Sequence, residues 1–260
     1  ILFGTRGHSM TVAAACATGS TAISQSAQLI QLGAQDRVLT GGIQETTWEF
    51  DCLFDSLRVF SRREGQPTEA SRPFDKDRDG LVPSGGSGFL LLEEYELAKS
   101  RGARIYGEVA GHATNSDGED MTTPSGVGSV LCMRAALASA GLPADAVDYV
   151  NAHATSTIKG DAVEAQSIRE VFGDGPYVSS TKSMTGHEVG AAGATELIYS
   201  LLMMKHGFVA PNINISEIGP DCEGIRIAAN HAIETDLGVV MSNSFGFGGV
   251  NTVLVLKQPD

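Results

Sequence analysis

The chain has no long hydrophobic run. Its apolar stretches, such as Gly88-Phe89-Leu90-Leu91-Leu92, are cut by Glu93 and Glu94, far short of the roughly 18 residues that a membrane span needs. No transmembrane helix is expected, and no charged region before an apolar stretch marks a secretory signal. The chain begins at Ile1 without a methionine, which points to a missing N-terminal part. Basic residues are few, 18 against 31 acidic, for a net charge of -13. Nucleic acid and anionic membranes both need a basic surface that displaces counterions, so neither is expected as a partner. Cysteine is scarce as well. Cys16, Cys52, Cys132 and Cys222 lie far apart with no CxxC pair, which excludes a disulfide framework and the spaced zinc motifs; no metal is expected, and the usage suits a reducing cytoplasm. No nucleotide-binding glycine loop, HExxH or GxSxG is present.

What is present is a chain of 260 residues, 42% hydrophobic and 19% charged, enough for one large domain or two smaller ones. Val12-Ala-Ala-Ala-Cys16-Ala-Thr-Gly-Ser-Thr21 reads as an apolar approach to a cysteine and then a helix of small residues, with Ile23, Ala27 and Ile30 on one face and Gly33 as its stop. Cys16 is thereby placed at a helix N-terminus. There the unpaired N–H groups and the helix dipole favour a thiolate and can hold an oxyanion; the plainer alternative is a small buried core cysteine.

Residues 36–42 read as a buried strand, so that strand, helix and strand follow within about forty residues, the rhythm of an α/β layer fold with a mostly parallel sheet. Residues 48–60 are aromatic and apolar without clear periodicity and are expected to pack over that sheet. Arg58, Arg62 and Arg63 form the densest basic cluster, either a solvated loop or a contact for an acidic partner. Asp75, Asp77, Asp79 and Gly80 fall where a calcium loop wants them, but the twelfth position is Gly86 and Pro83 interrupts the loop, so calcium is rejected. A strand over 85–92 and a helix over 93–101 precede Gly102. A second strand series opens at 105, dividing the chain into residues 1–104, with the nucleophile, and 105–260.

In the second part a helix over 129–140 leads to a strand from Val147 that runs into a loop with His153. A helix over 161–172 and a strand over 177–180 lead to Lys182-Ser-Met-Thr-Gly-His187 and a long helix ending at His206. Gly190 and Gly193 in its early turns indicate close packing. The glycine-dense turn between the apolar strands at 239–245 and 252–256 is a hairpin or a mobile gate. His112, His206 and His231 stand alone and read as structural or exposed.

One cysteine at a helix start, two histidines in loops after strands and a lysine five residues before the second form a set. A thiolate can hold an acyl group, and neutral imidazoles can stabilise the charge that develops when a second thioester loses carbon dioxide. Ala15-Cys-Ala-Thr-Gly19, Asn151-Ala-His-Ala-Thr-Ser-Thr157, Thr181-Lys-Ser-Met-Thr-Gly-His187 and Ser242-Asn-Ser-Phe-Gly-Phe-Gly-Gly249 resemble, in order and approximate spacing, the signature blocks of the β-ketoacyl-[acyl-carrier-protein] synthases. Ser71-Arg-Pro-Phe-Asp75, Arg78-Asp-Gly80 and Tyr199-Ser-Leu-Leu-Met203 are most similar to the elongating type I enzymes of bacterial fatty-acid synthesis. The likeness runs from about Thr11 to Lys257.

The resemblance implies a thiolase fold, an α/β architecture layered α-β-α-β-α, of which this chain holds the end of the first half and the complete second half. It implies an acyltransferase of fatty-acid biosynthesis, a cytoplasmic homodimer that works with acyl carrier protein and needs no cofactor, because substrates arrive on a phosphopantetheine arm. By motif, Cys16 carries the growing chain, and His153 and His187 stabilise the enolate from malonyl carrier protein. The backbone N–H groups of Cys16 and Phe247 form the oxyanion hole. Phe247 and Phe245 belong to the gate, Lys182 and Glu196 form a supporting charged pair, and Thr155 and Thr157 bind the phosphopantetheine. Arg58, Arg62 and Arg63 become carrier-protein contacts.

The family usually has glycine at Ala154 and threonine at Val250; an alanine disfavours positive φ there and implies a slightly shifted loop. Family enzymes carry a further segment before the nucleophile block, so this chain alone is not expected to fold into a working enzyme. A cysteine hydrolase built on Cys16, a histidine and Asn151 leaves His187 and Lys182 unexplained. A thiolase lacks its second cysteine here, around residues 246–249. A chain-length-factor-like partner that shapes a pocket without condensing typically replaces the nucleophile, which this chain retains.

Overall fold

The computed structural model describes residues 2–259. A single 3-10 turn, Ala15–Ala17, leads into α1 (Thr18–Gln31), followed by β1 (Arg37–Gln44), α2 (Trp48–Ser56), β2 (Gly86–Glu93) and α3 (Tyr95–Ser100). Next come β3 (Glu108–Ser116), α4 (Val127–Ala140), β4 (Tyr149–Asn151), α5 (Ile158–Phe172), β5 (Tyr177–Ser179), the short α6 (Lys182–Thr185) and α7 (Ala192–His206). The chain closes with β6 (Phe208–Val209), β7 (Arg226–Ile227), β8 (Ile233–Glu234), β9 (Val239–Gly246) and β10 (Val250–Lys257).

Six strands form the central sheet in the order β3-β10-β9-β4-β5-β7. The β9–β4, β4–β5 and β5–β7 pairs are parallel, whereas β10 pairs antiparallel with both β3 and β9. The expected mostly parallel sheet is therefore a mixed one, because the 247–249 turn folds β9 and β10 into a hairpin, which is necessarily antiparallel.

Alternation along the strands sends side chains to two cores. Val150, Val178, Met241 and Val253 pack against Met133 and Leu137 of α4 and Ile168 of α5. Tyr149, Val240 and Leu254 pack on the other face against Ile23 of α1 and Leu197 and Met203 of α7. On the far side of α1 and α7 lies a two-stranded antiparallel sheet, β1 with β2. The described residues thus build four layers, α4/α5, the six-stranded sheet, α1/α7 and β1/β2.

Two expectations about the first part are corrected. The strand at 36–42 is not buried: its inward positions, Val38, Thr40 and Gly42, meet the helix layer, while Leu39 and Ile43 point outward and are exposed beside Phe89 and Leu91. Nor do residues 48–60 pack over the sheet. They contain α2, capped by the Thr47 hydroxyl accepting from Phe50 N–H, with no residue of the helix buried. Its aromatics pack on one another instead, Phe50 tilted by 39° against Phe54 with ring centroids 4.7 Å apart.

The helix layer is tight where it meets both sheets. A Cβ built on Gly193 would lie 2.2 Å from Ser20 Oγ and 2.7 Å from Ser20 N, and one on Gly42 would lie 2.5 Å from the Gly190 carbonyl oxygen. Glycine is required at both, as the sequence reading expected for Gly193; Gly190 lies just before α7 rather than in its early turns, and its backbone carbonyl is what Gly42 packs against. This approach of α1 and α7 brings the start of α1 to the end of β9 and fixes the position of Cys16.

Candidate active site

Cys16 sits in a strained turn. Ala14 has φ −145° and ψ 41°, Ala15 has φ +45°, in the left-handed region that alanine disfavours, and one 3-10 turn joins α1. Thr18 staples this turn: its hydroxyl accepts from Ala14 N–H at 2.9 Å and donates to the Ala15 carbonyl at 2.7 Å. The thiol is buried, and the backbone N–H groups of Phe247 and of Cys16 itself face it closely enough to favour its ionised form. These are the two donors expected for an oxyanion hole. The expected thiolate, however, is not found. Burial pushes the Cys16 thiol up to about 11, and the Phe247 N–H, the Lys182 charge and its own N–H pull the other way without overcoming it.

His153 follows β4. Its N–H and that of Ala154 donate to the two carboxylate oxygens of Glu164 at 2.8 and 2.6 Å, and Asn243 on β9 donates to the same carboxylate at 3.1 Å. Glu164 thereby staples the loop to α5. The sequence reading missed it, although the spacing Asp161, Glu164, Ala165, Ile168 on α5 puts two carboxylates on the buried face of an amphipathic helix. Ala154 is accommodated without positive φ; the left-handed residue of the loop is Ser156, at φ +74°.

His187 follows Gly186, which has φ +73°, and its backbone is held by N–H donation to the Val82 carbonyl at 2.8 Å. Its ring meets that of His153 edge-on with centroids 5.3 Å apart. Neither ring nitrogen of His187, nor Nδ1 of His153, has a hydrogen-bond partner. Burial, reinforced by the nearby Lys182 charge, holds both imidazoles well below the ordinary histidine range, and for His153 the His187 ring adds to this. Both are therefore neutral at physiological pH. Cys16 Sγ and one nitrogen from each imidazole all lie within 4.8 Å of one another.

Behind the histidines, Lys182 and Glu196 form an ion pair whose side chains are 1% and 3% exposed. A cavity of about 490 Å³ is lined by Cys16, His153 and His187, with Phe54, Phe245 and Phe247 also among its walls. Phe247 stacks on Phe54 with centroids 6.0 Å apart, and Phe245 lies edge-on to His153 at 6.1 Å. Thr155 and Thr157 also line it, their hydroxyls 3.2 Å apart. The basic cluster splits: Arg58 lines the cavity, while Arg62 bonds Asp55 and Arg63 donates to the Asp77 carbonyl.

The comparisons with known proteins fall on this arrangement. The sequence profile described as "Beta-ketoacyl synthase, N-terminal domain" matches residues 1–98, and that described as "Beta-ketoacyl synthase, C-terminal domain" matches residues 106–216. The chain belongs to the β-ketoacyl synthase family. It is 47% identical to 3-oxoacyl-[acyl-carrier-protein] synthase 1 of Escherichia coli (strain K12) over 98% of its own length and 63% of the relative's. To the synthase 1 of Haemophilus influenzae it is 46% identical over 97% and 62%. The chain thus spans less than two thirds of these curated relatives.

Among solved β-ketoacyl synthase structures, one from Burkholderia phymatum STM815 superposes with a TM-score of 0.94 at 42% identity, covering 96% of this chain and 61% of that one. The structure titled "AntDE:AntF (apo): type II PKS acyl-carrier protein in complex with its ketosynthase bound to the hexaketide" gives 0.96 at 32%, covering 100% and 65%. The α/β architecture is therefore the thiolase fold of the ketosynthases. No helix among the described residues is long and apolar enough to cross a membrane.

Proposed function

We propose that the chain carries the catalytic centre of an elongating β-ketoacyl-[acyl-carrier-protein] synthase. The observation that carries this reading is the convergence of one thiol and two neutral imidazoles, three of whose four ring nitrogens are buried without a partner, within 4.8 Å in the lining of one cavity. In the first half-reaction Cys16 attacks the acyl thioester of a loaded carrier protein. The Sγ–acyl bond forms, the phosphopantetheine thiolate leaves, and the thiol proton passes to it. The oxyanion of the tetrahedral intermediate is held by the N–H groups of Cys16 and Phe247, both of which act on the resting sulfur. Because the resting group is a thiol, attack is coupled to proton loss, for which the adjacent neutral imidazoles are the nearest acceptors.

In the second half-reaction malonyl carrier protein presents its thioester carbonyl to His153 and His187. As the carboxylate leaves as carbon dioxide, the carbonyl oxygen becomes an enolate oxygen, and the two imidazole N–H groups donate to it. The enolate carbon then attacks the acyl carbonyl on Cys16; the carbon–carbon bond forms, the Cys16 thiolate leaves and is reprotonated, and a 3-oxoacyl chain two carbons longer departs. Imidazoles suit this step because they are neutral donors, and burial with the Lys182 charge keeps them so. Thr155 and Thr157 hold the phosphopantetheine arm, and Phe245 and Phe247 form the gate. Arg58, with Arg62 and Arg63 beside it, meets the acidic carrier protein.

The reading extends to a cytoplasmic homodimer without a resident cofactor and to a division of the chain near residue 104. A pocket-shaping partner without condensing activity is less well supported, because Cys16, His153 and His187 are all present and converge. The test is acylation: the protein, with any segment naturally joined to it, is incubated with acyl carrier protein and then malonyl carrier protein. An acyl group on the Cys16 peptide by mass spectrometry, followed by 3-oxoacyl product, is the expected result. Absence of both would overturn the reading in favour of the non-catalytic partner.

A further inference from the structure

The same three side chains invite a ligand of a different kind. Spacing motifs cannot find it, since Cys16, His153 and His187 come from three separate segments. Zinc binds thiolate sulfur at ~2.3 Å and imidazole nitrogen at ~2.0 Å in a tetrahedron, so its ligand atoms stand roughly 3.5 Å apart. Here the sulfur and two nitrogens lie within 4.8 Å of one another, so closure by about 1 Å makes a site. The nitrogens are free to turn: both of His187 and Nδ1 of His153 are buried without a partner. No carboxylate or hydroxyl has to be displaced from them.

Charge also favours a dication. Lys182 is matched by Glu196, and Glu164 behind His153 adds a second carboxylate. The cavity of about 490 Å³ gives access and leaves the fourth coordination position to water.

We infer that Cys16, His153 and His187 form a three-ligand site for a thiophilic divalent cation of the zinc class, and that metal occupancy and acylation of Cys16 exclude each other. Binding replaces the sulfur–hydrogen bond by a sulfur–metal bond and releases one proton, so affinity rises with pH. The metal acts as an inhibitor, not as a participant in condensation. The site stands on its own geometry, so a failed condensation assay and a failed metal titration are separable results.

The test uses Zn2+ and, as a spectroscopic probe, Co2+. One equivalent per chain, a near-ultraviolet thiolate-to-cobalt charge-transfer band and the intense visible bands of tetrahedral cobalt are expected. Affinity should fall at least about tenfold in Cys16→Ser, His153→Gln and His187→Gln and stay unchanged in Cys52→Ser, whose parent cysteine is exposed. Peptide mapping gives a readout on the unaltered chain: Zn2+ should protect Cys16 from alkylation while Cys52 still reacts. Binding without the charge-transfer band, or undiminished in Cys16→Ser, or without protection of Cys16, would overturn the assignment.

Discussion

At the scale of single residues, the site trades charge for burial. A thiol pushed up to about 11 is almost wholly protonated in the resting protein, so its reactivity depends on proton transfer during attack. Alkylation of Cys16 should accordingly accelerate through neutral pH and keep rising to at least about pH 9, without a plateau near 7; peptide-resolved labelling rates measure this, and a plateau at neutral pH would show that the helix terminus, not burial, sets the thiol. Lys182 and Glu196 are a second case. Removing one member of so buried a pair leaves a lone charge and costs about 3–5 kcal/mol, so Glu196→Leu should lower the unfolding midpoint sharply in denaturant, while Lys182→Met with Glu196→Leu should recover most of the loss. Cys16, both histidines and Lys182 were legible in the sequence because each lies in a distinctive short block, and Glu196 followed from the family resemblance those blocks carry. Glu164 was not, since its role depends on α5 lying beneath the loop after β4. Glu164→Gln should keep the fold but loosen His153, lowering kcat for condensation roughly 10-fold or more with a smaller effect on KM for the carrier-bound substrate; an equal loss in an isolated thiol-alkylation assay would argue for a general structural role.

At the scale of elements, glycine and alanine let α1 and α7 approach each other and both sheets. Gly193→Ala would drive a methyl into Ser20 Oγ and N, in a helix that cannot retreat from the sheet behind it. A loss of about 1–3 kcal/mol is expected, against little change for Gly65→Ala, where nothing lies within 4 Å of the added atom; equal stability of the two variants by chemical denaturation would show that the helix layer is looser than described. The helix and strand positions in the second part were readable from hydrophobic period and from the glycine stops at 141 and 207. What was not readable was environment. Residues 36–42 are apolar enough for a strand buried on both faces, yet only one face is covered by α1 and α7. Residues 48–60 lack a clean period because the aromatics of α2 serve one another and the cavity wall, where Phe54 meets Phe247.

At the scale of the whole molecule, the two parts of the chain are joined through buried polar contacts as well as through the helix layer. Asp75 is held by the Arg72 guanidinium and by the hydroxyl and N–H of Ser216; although burial opposes ionisation, these donors and the Asp77 N–H hold its carboxyl down to about 2. Its folded value lies below its ordinary one, so its contribution is complete above about pH 4 and is lost as the pH falls toward 2. Asp75→Asn should therefore lower stability at neutral pH and flatten its acid dependence, which thermal melts across that range would show. The order of the signature blocks made the family legible before any geometry, while the antiparallel hairpin within the sheet and the splitting of the arginine cluster followed only from how distant segments meet. The most direct test of the central claim is a paired measurement on Cys16→Ala and His187→Ala supplied with malonyl carrier protein. Cys16→Ala should form no acyl-enzyme and no 3-oxoacyl product yet still release carbon dioxide, whereas His187→Ala should accept the acyl group on Cys16 and release little. Carbon dioxide release that vanishes in Cys16→Ala but survives in His187→Ala would contradict the division of labour between the thiol and the imidazoles.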